Sequence, residues 1–160
     1  MSDHLGRFVW FDLSTTDAAA AEEFYKSVVG WKTASWEEGE QPYTMWMAGE
    51  TAVGGVGELT EEARNQGTPP HWSASIQTDD VDATTAKAVK LGGTVLLPPT
   101  DIPGAGRFSV LKDPQGVVFS PFTSGGEIVT SGVPKIGEFS WCELMTTDYE
   151  AAFTFYSDLF

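Results

Sequence analysis

Trp10 and Asp12 stand two residues apart in the run Phe8-Val9-Trp10-Phe11-Asp12-Leu13, a spacing that puts an indole and a carboxylate on one face of an extended strand. An indole wall supplies apolar contact area, and a carboxylate can hydrogen-bond a hydroxyl, hold a cationic ligand or accept a proton as a general base. The pairing returns as Trp141 and Glu143. The plainer alternative makes Trp10 core and has Asp12 satisfy backbone donors at a strand end, because polar groups on a core-lining strand need partners. Arg107, one of 9 basic residues, could reach a ligand carboxylate or phenolate, or merely form a surface ion pair. Of the two histidines, His4 lies near the terminus and His71 stands two residues before Ser73. Neither has a recognisable nucleophile partner, and no Gly-x-Ser-x-Gly elbow is present, so hydrolase chemistry lacks support. The Gly-x-Gly at 104–106 precedes a strand rather than a helix and lacks a third glycine, so it is not a dinucleotide fingerprint. The glycine-rich run at 53–57 reads as a bent strand rather than a phosphate loop.

The elements that must hold these residues repeat. Residues 6–29 align without a gap on residues 137–160, and 11 of the 24 positions are identical, among them Phe8/Phe139, Trp10/Trp141, Asp17/Asp148 and Tyr25/Tyr156. Each copy opens with a strand pattern. Thr15-Thr16-Asp17 then supplies a helix cap, and Ala21, Phe24, Tyr25 and Val28 form one apolar stripe at helical spacing. Gly30 is placed as the helix stop, and short strand-like runs at 31–36, 43–48 and 51–58 complete a βαβββ unit. A diverged second unit follows: a strand at 73–78, a helix at 81–91 closed by Gly92-Gly93, and strands at 94–97, 108–111 and 117–122. Between the last two, Asp113-Pro114-Gln115-Gly116 is a turn.

Composition narrows the partners. The chain has 160 residues and a net charge of -14, from 9 Lys+Arg against 23 Asp+Glu, which opposes binding to nucleic acid or to an anionic membrane surface. Its single cysteine, Cys142, permits neither an internal disulfide nor a thiolate metal cluster. No secretory leader and no apolar run of membrane-spanning length is visible, so a soluble cytoplasmic protein is expected.

The motifs Trp10-Phe11-Asp12-Leu13-Ser14-Thr15-Thr16-Asp17, Phe24-Tyr25 with Gly30-Trp31, Asp79-Asp80-Val81-Asp82, Leu91-Gly92-Gly93 and Asp113-Pro114-Gln115-Gly116 resemble the vicinal oxygen chelate superfamily, the glyoxalase/bleomycin-resistance/dioxygenase fold. The opening looks more like its tandem Cfp30B-like hydroxylase subfamily than like glyoxalase I. The resemblance implies an α+β fold in which paired βαβββ modules form a curved, incompletely closed barrel-like sheet around a cavity, with helices outside. Residues 6–123 then form one complete domain, with modules at about 6–66 and 69–123. Residues 124–136 are a linker, and 137–160 are the first strand and helix of a shortened second domain. That last segment is expected to dock on the first domain or to exchange with a second molecule, giving a homodimer.

In metal-dependent members, His, Gln or Glu on the first and last strand of each module hold a cation that acts as a Lewis acid. Here those positions fall on Trp10, Ser73, Ser120 and the 54–56 run, none a good ligand, so no metal and no cofactor is expected. His71, with Asp12 and Glu58, could still shift into a site. The expected ligand contacts are Trp10, Asp12, His71, Ser73, Arg107 and Ser120. Three functions follow: metal-free binding of an aromatic, antibiotic-like small molecule; a lyase, isomerase or hydroxylase that uses Asp12 as general base or a metal; or a non-catalytic assembly module.

Overall fold

A computed structural model of the chain describes residues 5–37, 42–126 and 133–160. His4 lies outside the described residues. The contacts divide the chain into two compact bodies, the first holding residues 10–73 with 131–141, the second residues 1–9, 74–130 and 142–160. The fold is α+β, with each body built on a four-stranded set.

In the first body, β1 (Phe8–Thr15) runs parallel to β4 (Thr51–Glu58). β4 pairs antiparallel with β3 (Tyr43–Ala48), and β3 with β2 (Lys32–Trp36), so the order is β2-β3-β4-β1. Helix α1 (Ala18–Val28) begins at Asp17, whose carboxylate accepts the Ala20 amide at 2.9 Å. Ala18, Ala21 and Tyr25 pack on Leu13, Trp31, Trp46, Val53 and Val56. The Tyr25 ring lies 5.5 Å from each of Trp31, Trp46 and Trp72, an aromatic cluster whose edge and stacked contacts add to area burial. A short helix, α2 (Glu61–Asn65), follows β4 and was not anticipated from the sequence.

The second body repeats this scheme. β5 (His71–Gln77) runs parallel to β8 (Val118–Ser124), which pairs antiparallel with β7 (Gly106–Lys112), and β7 with β6 (Thr94–Ile102). Helix α3 (Val81–Lys90) starts at the Asp80 cap. The turn at 113–116 is fixed by the buried Asp113, whose Oδ1 accepts the Gln115 and Val117 amides at 2.8 and 2.9 Å. Gly116 closes it at φ 100°, a conformation that side chains resist. No helix among the described residues is long and apolar enough to cross a membrane.

The second copy of the repeat folds only in part as its first does. Helix α4 (Tyr149–Leu159) forms behind the Asp148 cap, but residues 139–146 are not in a strand. In the first copy β4 supplies the backbone partner for β1, whereas among the described residues no strand pairs with 139–146. Instead the segment is shared. Within the first body Phe139 stacks on Phe11 at 3.7 Å, and the Gly137 carbonyl accepts Trp31 Nε1 at 2.7 Å. Within the second body Phe155 and Leu159 join a core with Ile76, Ala88, Leu111 and Phe119.

Gln115 secures α4 to the second body. Its Oε1 accepts from the Thr146 hydroxyl, the Thr147 hydroxyl and the Asp148 amide at 2.5, 3.1 and 2.9 Å, and its Nε2 donates to the Asp148 carbonyl at 2.8 Å. Replacing Gln115 with Ala should therefore speed amide exchange across 149–159 by roughly tenfold or more, equivalent to losing about 1.4 kcal/mol of local stability. Hydrogen exchange read by mass spectrometry checks this, with exchange in β7 and β8 expected to stay unchanged.

Candidate functional site

Strand register assembles the site in the first body. Asp12 on β1 stands opposite Gly55 on β4, and Gly55 stands opposite Met45 on β3. Tyr43 begins β3 two residues before Met45, on the same face, so its ring reaches across β4 toward Asp12. Its hydroxyl donates to Asp12 Oδ1 in a short hydrogen bond. The Trp10 indole Nε1 donates to Tyr43 Oη at 2.8 Å and more weakly to Asp12 Oδ1 at 3.3 Å. An indole, a phenol and a carboxylate thus form one chain of donors ending on a carboxylate oxygen. Among the described residues both side-chain contacts fall on Oδ1, which leaves Oδ2 for another partner.

The electrostatics follow from burial. Desolvation pushes the Asp12 carboxyl above the usual carboxylate range, opposed by the hydrogen bonds from Tyr43 and Trp10. Tyr43 is pushed far above the ordinary phenol range, first by burial and then by the neighbouring Asp12 charge, so its proton stays on oxygen and remains available to donate. The arrangement can hold a ligand hydroxyl or cation at Oδ2, or pass a proton between ligand and carboxylate with the phenol as a fixed donor.

Gly55 makes this geometry possible. A Cβ at that position would lie 1.8 Å from Tyr43 Oη and 2.2 Å from Cζ, so only glycine lets the ring lie across β4. At Gly54 a Cβ would fall 2.0 Å from the Phe11 carbonyl oxygen, so its role is close pairing of β4 with β1. The run at 53–57 is therefore a strand, as its composition suggested, but its glycines serve packing across the sheet. Tyr43 and Gly55 are the two site residues that the sequence did not reveal. The available signal was aromatic: a tyrosine opening the strand that hairpins into a Gly-Gly strand.

Ser73 Oγ donates to the Asp12 carbonyl at 3.4 Å, beside the group but on its backbone. His71 opens β5 with Nδ1 2.8 Å from the Pro69 carbonyl, which it meets as a donor. In the second body Ser120 is buried on β8 opposite Ser75. Arg107 is engaged by carboxylates: Nε and Nη2 meet Asp82 at 2.7 and 3.0 Å, and Nη1 meets Asp101 at 2.7 Å. Among the described residues no group of three or more His, Cys, Asp or Glu side chains could hold a metal ion. The positions that the sequence resemblance assigns to metal ligands do not fit one either. The Trp10 N–H is a donor, Gly54 and Gly55 have no side chain, and Ser73 and Ser120 offer neutral hydroxyls.

The family model for the Glyoxalase/Bleomycin resistance protein/Dioxygenase superfamily matches residues 5–120. "Putative glyoxylase CFP32" of Mycobacterium tuberculosis is 36% identical over 152 residues, covering 92% of this chain and 57% of that protein. The anthracycline biosynthesis protein DnrV of Streptomyces peucetius is 34% identical over 165 residues, covering 94% of this chain and 59% of that protein. The chain thus spans rather more than half the length of these relatives. Among solved structures, methylmalonyl-CoA epimerase from Mycobacterium tuberculosis superposes with a TM-score of 0.58 at 13% identity, over 79% of this chain and 93% of that one. The Mn(II)-bound glyoxalase from Novosphingobium aromaticivorans gives 0.54 at 18%, over 75% of this chain and 39% of that one.

Two outcomes are expected. Gly55→Ala should cost about 1–3 kcal/mol by overpacking against Tyr43. In a Tyr43→Ala background the same change should cost far less, and thermal unfolding of the four proteins measures the coupling. For Asp12, the folded protein binds the carboxyl proton more tightly than the unfolded chain does. Stability should therefore fall as pH rises from about 3.8 through the raised folded value, and Asp12→Asn should abolish that decline in denaturant titrations across the window.

Proposed function

Because the chain belongs to the Glyoxalase/Bleomycin resistance protein/Dioxygenase superfamily, we propose that it binds a small hydroxylated aromatic molecule without a metal ion, at the group formed by Trp10, Asp12 and Tyr43. The observation that carries this reading is the partly desolvated Asp12 carboxylate, fixed at Oδ1 by two neutral donors, with no side-chain donor on Oδ2 among the described residues. A carboxylate so placed binds a ligand hydroxyl strongly, because charge-assisted hydrogen bonds are roughly twice as strong as neutral ones. Trp10 adds an aromatic surface beside it, as small-molecule sites generally do. The likeness to DnrV, named for anthracycline biosynthesis, supports an aromatic, antibiotic-like ligand. Ser73 lies near enough to join the site, whereas Arg107, held by Asp82 and Asp101, is not needed in it. In this reading residues 6–123 form one ligand-binding domain that works in the cytoplasm.

A second reading makes the same group catalytic. An Asp12 whose proton affinity is raised, beside a Tyr43 that keeps its proton, is a base and a hydrogen-bond donor of the kind that isomerase or lyase chemistry uses. The name glyoxylase carried by CFP32 favours it.

Titration with a planar hydroxyanthraquinone, followed by Trp fluorescence quenching, tests the binding reading. Asp12→Asn should raise Kd about tenfold or more, close to 1.4 kcal/mol, without lowering the thermal midpoint at neutral pH. Unchanged binding in that variant contradicts the assignment, and turnover of the anthraquinone or of the hemithioacetal formed from a thiol and a glyoxal, if Asp12→Asn abolishes it, selects the second reading. Elemental analysis of freshly purified protein should find no stoichiometric Ni, Zn, Fe or Mn. Near-equimolar metal whose removal by EDTA abolishes binding would overturn the metal-free part.

A further inference from the structure

Strand β4 carries three glycines, and the chain itself accounts for two of them. At Gly54 a Cβ would collide with the Phe11 carbonyl, and at Gly55 with the Tyr43 ring. Gly57 is different. A Cβ there would meet nothing within 4 Å among the described residues, and its φ lies outside the left-handed region that favours glycine. The register with β1 runs unbroken from Gly55 to Glu58, so Gly57 marks no bulge. Nothing in the fold therefore demands glycine at 57. A glycine in a paired strand loses much conformational freedom on folding and packs no side chain, so it weakens the strand. Where a strand keeps one without an internal reason, a ligand or a second backbone often comes close to it.

Register fixes what lies beside this bare stretch of backbone. Gly57 stands opposite Ser14 on β1, as Gly55 stands opposite Asp12. With period two on both strands, Asp12, Ser14, Gly55 and Gly57 share one face. On β3, Thr44 stands opposite Val56, which brings Tyr43 level with Gly57, and Trp36 of β2 is the partner of Tyr43. Gly57 is exposed while Gly54 and Gly55 are buried, so the face opens beside the Asp12 group rather than over it. The Ser14 hydroxyl has no hydrogen-bond partner among the described residues, and no side-chain donor there reaches Asp12 Oδ2. A second backbone laid on this face would leave its own N–H and C=O groups unpaired, whereas a flat ring brings no such groups.

Resting on the reading that the Asp12 group binds a hydroxylated aromatic molecule, we propose that Gly57 is the specificity-determining residue of that site. The ligand ring lies flat on the β4 backbone over Gly57, with a hydroxyl on Asp12 Oδ2 and its edge toward the Ser14 hydroxyl. The site therefore selects flat, fused-ring phenols over branched or puckered molecules, and a side chain at 57 would take the place of the ring.

Gly57→Ala and Gly57→Val in the full chain test this, with a planar hydroxyanthraquinone as the probe and Trp fluorescence quenching as the readout. Because a Cβ enters open space, both variants should keep or raise the thermal midpoint. Kd should rise about tenfold or more in Gly57→Ala, the scale on which one added carbon disturbs a fitted pocket, and further in Gly57→Val. Unchanged binding in both variants overturns the proposal. So does a clear drop in the midpoint of Gly57→Ala, which would make the glycine a demand of the fold. Asp12→Asn separates the two layers: if it weakens binding while Gly57→Val does not, the Asp12 reading stands and the Gly57 inference falls. A wild-type chain that binds no hydroxyanthraquinone removes both.

Discussion

A carboxylate drawn partly out of water is the constraint around which the first body is arranged. An isolated charge in such a place is costly, and the group responds either by gaining donors or by keeping its proton. Asp12 gains donors: Tyr43 and Trp10 donate to one oxygen, while burial raises its proton affinity. Neither donor is local in the sense that a turn or cap is. Trp10 comes from the same strand, but Tyr43 comes from across the sheet, and the two strands between which it reaches are aligned by β4. The parallel register of β1 on β4 and the hairpin of β3 on β4 are therefore part of the site's chemistry.

That dependence explains what the sequence disclosed and what it concealed. The face shared by Trp10 and Asp12 was readable because period two in a short strand is a local property. The βαβββ order was readable from caps, helical stripes and glycine-bearing turns, and the strands found at 43–48 and 51–58 agree with it. Tyr43 was invisible as a partner because its contact with Asp12 spans 31 residues and depends on register. Gly55 was visible as a glycine, but its reason, room for a phenol passing overhead, exists only once β3 is laid beside β4.

The C-terminal copy illustrates the same limit from the other side. Residues 137–160 share 11 of 24 residues with 6–29, yet the helix forms and the strand does not. A helix closes its hydrogen bonds within itself once capped, whereas a strand needs a neighbour's backbone. Phe139 illustrates the consequence: it packs by its ring on Phe11 and Trp72. Tyr156 does likewise in the second body, donating to the buried Asp113 at 3.0 Å. Identical residues thus find different partners in the two copies.

The Asp12 resonance reports most directly on a desolvated carboxylate that takes up the ligand at its second oxygen. In protein labelled with carbon-13 at aspartate Cγ, with the Asp12 signal assigned by loss in Asp12→Asn, the titration midpoint should lie above that of ordinary aspartates. Adding a planar hydroxyanthraquinone should then shift that resonance and move its midpoint. A midpoint in the usual range, unmoved by a ligand that demonstrably quenches Trp fluorescence, would contradict the account.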